Sequence, residues 1–152
     1  MSYVSSYFHC VFSTKERSSQ ITPDLRERLW PFLGGIERQN QMKAIEVGGM
    51  PDHVHILIGQ RPDSSLSDLV GDVKAGSTNF INRQRWVRGR FRWQEGFGAF
   101  SYSRSQLDTV VRYVKNQQRH HQKRSFHDEY VSLLDKFDVP YDVRYVFKPV
   151  YE

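Results

Sequence analysis

The stretch "GGMPDHVHILIG", Gly48–Gly59, decides how the chain folds. A glycine pair and a Pro51–Asp52 turn signal lead into an apolar run that carries two histidines, the pattern of a strand entered from a tight turn. Successive side chains of a strand point to opposite faces, so His53, His55 and Leu57 share one face while Val54, Ile56 and Ile58 share the other. The second face reads as core, and the first sets two imidazoles side by side. Met42–Gly48 reads as the strand before the turn, which makes the pair an antiparallel hairpin.

Outward from this hairpin the chain reads as one unit of mixed strands and helices, with no internal repeat, low-complexity tract or linker, and therefore as a single domain over residues 1–152. Tyr3–Ser13 is rich in aromatic and β-branched residues and predicts a strand, followed by a basic turn with Lys15 and Arg17. Thr22 caps a helix that starts at Pro23 and carries Leu25, Leu29, Phe32, Leu33 and Ile36 at helical spacing. Pro31 should kink or split it, at a cost of order 3 kcal/mol if held inside. Ser65 with Asp68 opens a second helix lined by Leu66, Leu69, Val70, Val73, Phe80 and Ile81. "AFSYS", Ala99–Ser103, predicts a fourth strand, and Ser105 with Asp108 opens one long helix, "SQLDTVVRYVKNQQRHHQKR". An amphipathic segment with Phe126, Tyr130, Leu133, Leu134 and Phe137 follows, and "YDVRYVF" reads as an extended tail.

Composition narrows the function. With 38% hydrophobic, 26% charged and 14% aromatic residues the chain has the profile of a globular protein, not a disordered one. The single cysteine, Cys10, permits no intrachain disulfide and fits a reducing compartment, and no apolar stretch reaches the roughly 20 residues of a spanning helix, so the expected location is the cytoplasm and no membrane partner is expected. The net charge of +5 is concentrated: six basic and no acidic residues lie between Val73 and Gln94, and five more with no acidic one between Thr109 and Arg124. In the first block Arg85, Arg88, Arg90 and Arg92 alternate with Trp86, Phe91 and Trp93. That mixture suits single-stranded nucleic acid, cations meeting phosphates while aromatic faces stack bases at about 1–3 kcal/mol each. The same residues also fit a solvated basic loop with its aromatics tucked into the core.

Two motifs carry the chemistry. Two imidazoles at i and i+2 of a strand can reach one metal ion, although a half-exposed strand can also carry such a pair without one. On the later helix Leu107, Val110, Val111 and Val114 form the apolar stripe, and Tyr113, Gln117 and His120 fall together at its edge, Tyr113 and Gln117 being four apart. Asp52 is a candidate to orient a histidine through its second ring nitrogen, though its position on an adjacent, oppositely directed residue argues against direct contact. His120 and His121 are accessory candidates for DNA phosphate or metal, and Lys74 and Ser77 for DNA contact.

Taken together, "MPDHVHILI", "LVGDVKAGSTNFIN", "WQEGFGAFSYS", "YVKNQQRHH" and "FHDEYVSLLDKFDVPYDVRYVF" resemble the single-tyrosine HUH transposases of small bacterial insertion sequences, including the branch associated with repetitive extragenic palindromes. The resemblance implies an α+β fold, a ferredoxin-like or RRM-like antiparallel sheet with helices on one face and the active site with the tyrosine helix on the other. It implies cleavage and rejoining of single-stranded DNA with hairpin ends through a covalent 5′-phosphotyrosine. Tyr113 would be the nucleophile, and His53, His55 and Gln117 would hold a divalent metal, Mg²⁺ or Mn²⁺. It also implies a homodimer exchanging the tyrosine helix, with a monomer as the alternative. Lys15, Arg17, Lys74 and the arginine–aromatic block from Arg85 to Trp93 are the expected DNA contacts.

Other classes fit less of the chain. A histidine-triad nucleotide hydrolase would continue the alternation to a third histidine, where Leu57 stands. A non-catalytic RRM-type module would use the sheet and the basic loop but has no need of the histidine pair. A replication initiator or relaxase would share the chemistry in a longer protein.

Overall fold

The computed structural model describes residues 3–122 and 124–142, with the side chain of His120 outside the description, so the expected tail is out of view from residue 143 onward. Four strands, β1 (Tyr7–Ser13), β2 (Lys43–Met50), β3 (His53–Gly59) and β4 (Gly98–Tyr102), form an antiparallel sheet in the order β2-β3-β1-β4. With α1 (Pro23–Gln39) between β1 and β2, and α2 (Leu66–Gln84) between β3 and β4, this is the βαββαβ order of a ferredoxin-like fold. β1 starts later than expected, at Tyr7, and Tyr3 and Val4 are exposed.

Strand alternation divides the molecule. Cys10, Phe12, Val54, Ile56 and Ile58 face down into a core completed by Leu29 and Leu33 of α1 and Leu69, Val73 and Ile81 of α2. Thr22 Oγ1 accepts from Leu25 N (3.2 Å) and Ser65 Oγ from Asp68 N (3.3 Å), so both helices begin where their caps place them. Contrary to the expected kink or split, α1 is one helix through Pro31. Pro31 faces solvent, whereas Leu25, Leu29, Leu33 and Ile36 are buried. At about 1.5–3 kcal/mol per buried side chain, that face outweighs a proline penalty of about 3 kcal/mol.

The upper face carries the site. The single long helix expected from Ser105 is divided: a 3-10 turn at Arg104–Gln106 leads into α3 (Leu107–Lys115), Asn116 leaves helical geometry (φ −98°, ψ 27°), and α4 (Gln117–His121) follows. α5 (Phe126–Lys136) then returns across the sheet. Leu57 packs with Leu107, Val110 and Val114 of α3, and Val11 and Phe100 pack with Phe126, Leu133 and Leu134 of α5. The approach of α3 to β2 depends on Gly48, where a Cβ would stand 2.4 Å from the Val114 carbonyl oxygen. Helices therefore cover both faces, with the tyrosine helix on the histidine face.

Candidate active site

His53 and His55 are fully buried on the upper face, their ring centroids 5.1 Å apart. Each has its Nδ1 occupied. Nδ1 of His53 lies 2.7 Å from Asp52 Oδ1, so the direct contact that strand direction argued against is made: Asp52 belongs to the turn before β3 and is not bound by the strand's alternation. Nδ1 of His55 lies 2.6 Å from Nε2 of His9, a residue of β1 that sequence reading missed. With Nδ1 held from behind, both Nε2 atoms face the same side, the arrangement that outer partners impose on metal-binding histidines. Phe126 stacks on His53 at 4.1 Å and fixes the ring plane.

The two Nε2 atoms meet groups from α4 and α5. Gln117 Oε1 is 3.0 Å from His53 Nε2 and 3.2 Å from His121 Nε2. Glu129, also missed, is the hub of the cluster and is 1% exposed. Its Oε1 lies 3.1 Å from both His55 Nε2 and His121 Nε2 and 3.4 Å from His53 Nε2. Its Oε2 accepts from the Tyr113 hydroxyl and from Gln117 Nε2 at 3.2 Å. One carboxylate thus joins the tyrosine to the histidine pair.

The missed residues left signals. Tyr7, His9 and Val11 alternate with Phe8, Cys10 and Phe12, which sets His9 on the face opposite the apolar one. Phe126, Glu129, Tyr130 and Leu133 recur at helical spacing, so Glu129 is a carboxylate within an otherwise apolar stripe.

Burial alone would raise the Glu129 carboxyl, but bonds from His121, His53 and His55 hold it well below the ordinary carboxylate range. Burial would likewise lower His53, yet its bonds to Asp52 and Glu129 win and push it up to about 9. Burial keeps His55 and His9 below the usual imidazole value. Tyr113 is raised by burial and by the adjacent Glu129 charge, so its phenol stays protonated. His53, His55 and Glu129 each offer one ligand atom, all within 4.8 Å of one another, and imidazole nitrogens with a carboxylate oxygen suit a first-row divalent ion. The donor set fits a metal.

The expected DNA contacts divide. Arg85, Arg88, Arg90 and Arg92 are exposed, and Lys15 N bonds to Arg92 O (3.0 Å), which sets the exposed Lys15–Arg17 turn beside them. Thr14 N in turn bonds to Asp52 O (2.9 Å), so this basic edge lies at the His53 end of the sheet. The stacking expected of Phe91 and Trp93 is corrected: both are core residues, Phe91 N donating to Asn82 Oδ1 (2.7 Å) and Trp93 Nε1 to Ser77 Oγ (2.8 Å). Trp86 is half-buried against Phe80 and beneath the Arg28 guanidinium. Lys74 is also structural, its ammonium donating to the carbonyls of Gln94 (2.8 Å) and Gly96 (2.7 Å), and Ser77 is buried.

Comparison with known proteins places these features. Residues 2–117 match the family described as "Transposase IS200 like". The ISDra2 transposase TnpA of Deinococcus radiodurans is 23% identical over 115 residues, covering 72% of this chain and 82% of that protein. A crystal structure of a candidate transposase from Deinococcus radiodurans R1 superposes with a TM-score of 0.58 at 24% identity, covering 77% of this chain and 95% of that one. A REP-associated tyrosine transposase bound to a REP hairpin superposes with a TM-score of 0.61 at 14% identity, covering 100% of this chain and 97% of that one. No helix among the described residues is long and apolar enough to cross a membrane.

Proposed function

The chain belongs to the IS200-like transposase family, and on that premise we propose that it cuts and rejoins single-stranded DNA through a covalent bond to Tyr113, with a divalent cation held by His53, His55, Glu129 and Gln117. The observation that carries the reading is the Glu129 carboxylate, which bonds the Tyr113 hydroxyl through one oxygen and the histidine cluster through the other.

When bound, Mg²⁺ or Mn²⁺ supplies Lewis acidity to the non-bridging oxygens of the scissile phosphate. The Tyr113 oxygen attacks phosphorus, the bond from phosphorus to the 3′ oxygen breaks, and the proton that Tyr113 gives up is passed on to the departing 3′ oxygen, which leaves as a hydroxyl. Glu129 Oε2 already holds the phenolic hydrogen and is the group placed to take it. One phosphodiester is exchanged for a phosphotyrosyl ester, so rejoining by the reverse attack needs no nucleotide cofactor. His9 and Asp52 orient the histidines. The exposed arginines of residues 85–92, with Lys15 and Arg17, line the DNA backbone path, and a relative of the same fold is described as bound to a REP hairpin. Tyr113 meets the histidine pair of its own chain, so a monomer can carry a complete site, and the expected homodimer is not required for it.

The test is incubation with a hairpin-bearing single strand from the DNA flanking its own gene, with Mn²⁺, followed by denaturing electrophoresis. Wild-type protein should form an adduct with the new 5′ end at the break and release a 3′ hydroxyl on the other fragment. Tyr113→Phe, which keeps the ring and the metal ligands, should bind the strand and form none. Binding without cleavage by the wild type would instead identify an RRM-type binding module.

A further inference from the structure

The ligand groups are closed off: His53 and His55 are 0% exposed, and Gln117 and Glu129 1%. Tyr113 is half-buried, and its ring forms part of the wall of a cavity of about 410 Å³ between α3 and α5. That size lies within the range that holds a small organic ligand. Val110, Leu133 and the Tyr102 ring make apolar walls, Thr109 and Ser132 offer hydroxyls, and Arg124 and Lys136 add two cations with no carboxylate among the lining residues. Lys136 Nζ sits 5.9 Å over the Tyr102 ring, on the wall of the cavity. The other flank of α5 differs. Its cavity, about 300 Å³, is lined by Glu95 and Asp142 and reaches the site through Phe126. A polyanion is therefore drawn to the Tyr113 flank.

We propose that the α3–α5 cavity takes one unpaired nucleotide of the DNA strand, the nucleotide adjoining the phosphate that Tyr113 attacks. The base packs against Tyr102, Val110 and Leu133, and its flanking phosphates meet Arg124 and Lys136. This rests on the strand-cleavage reading and deepens it: the pocket locates the scissile phosphate at Tyr113 by holding its neighbour, which is how remote binding energy becomes orientation.

The experiment uses the full chain and the same hairpin-bearing strand, made with an abasic site at each position in turn on either side of the break. Affinity is read by fluorescence anisotropy and cleavage by adduct formation. One abasic position should weaken wild-type binding about tenfold, the scale of one stacked base. Thr109→Trp and Ser132→Trp, at exposed positions on opposite walls, should each weaken binding of the intact strand by a similar factor. In those variants the abasic strand should bind as the intact one does, because the lost contacts are the same. If both variants bind the intact strand like wild type, or if the abasic penalty persists in them while adducts still form, the pocket assignment is overturned and the cleavage reading stands. No adduct from wild-type protein on any strand would overturn both.

Discussion

Glu37 shows what one buried residue costs this fold. It lies on the sheet-facing side of α1, fully buried, with neither carboxyl oxygen hydrogen-bonded, and burial pushes its pKa from 4.5 up to about 8 despite the nearby Arg38. The folded state thus binds a proton more tightly than the unfolded one. Below about pH 4.5 the residue costs no ionisation energy, the cost grows from there to about pH 8, and above that it is constant. Glu37→Met should therefore raise stability, by roughly 2–5 kcal/mol at pH 8 and by less at pH 5. Urea titrations of both proteins across that range give the difference curve, and equal gains at both ends would show that Glu37 does not carry the shift. No catalytic group touches it among the described contacts. Legibility at this scale followed distance along the chain. Spacing set His53 beside His55 and Tyr113 beside Gln117, because i, i+2 on a strand and i, i+4 on a helix are local geometry, while the roles expected of them came from the family resemblance. His9 pairs with His55 across 46 positions and Glu129 with it across 74, so both needed strand order and the return of α5.

The elements transmit position to Tyr113, the proposed nucleophile. α3 rests on β2 where a Gly48 Cβ would meet the backbone carbonyl of Val114, the residue after Tyr113, and backbone cannot swing aside. Gly48→Ala should displace α3 while the lower core stays packed. Stability should fall by about 1–3 kcal/mol, and adduct formation by about 100-fold, the effect of an ångström of misplacement. Gly71→Ala, on an open face of α2 with nothing within 4 Å of the added methyl, is the control and should change neither by much. The basic edge is the second device. Removing two of Arg85, Arg88, Arg90 and Arg92 should weaken DNA binding and flatten its dependence on salt, each lost phosphate contact lowering the slope by about one. An unchanged slope would move the strand elsewhere. The β2–β3 hairpin and the caps of α1 and α2 were legible because turn and cap chemistry is local, whereas the cap expected at Ser105 falls instead on Ser103, which with Gln106 forms a capping box. The arginine–aromatic block was not: alternation alone does not say which side of the loop faces the core, and Asn82 and Ser77, which tie Phe91 and Trp93 inward, are 9 and 16 residues away. The proposed helix from Ser105 hid its break at Asn116, since a polar run carries no periodic signal.

The whole molecule is a sheet with unlike faces, the lower one apolar apart from Glu37 and closed by α1 and α2, the upper one carrying the buried histidines and Glu129 beneath α3, α4 and α5. The proposed metal ligands come from β3, α4 and α5, so an ion held by them would link both later helices to the sheet. A ligand that binds only the folded state stabilises by mass action, about 2.7 kcal/mol at a hundredfold excess over its dissociation constant. For a chain of this length that corresponds to a rise in Tm of about 5–10 °C. Mn²⁺ should therefore raise the Tm of the wild type, and a chelator should reverse the rise. Glu129→Gln keeps the shape but loses the anionic ligand, and His55→Ala removes a nitrogen, so neither should respond at the same concentration. Tyr113→Phe should respond like wild type, since its hydroxyl bonds Glu129 without being a ligand. A wild-type Tm indifferent to both Mn²⁺ and Mg²⁺ would remove the metal from the mechanism, whereas a response that survives Glu129→Gln would return the site to His53, His55 and Gln117, the set expected from the family resemblance.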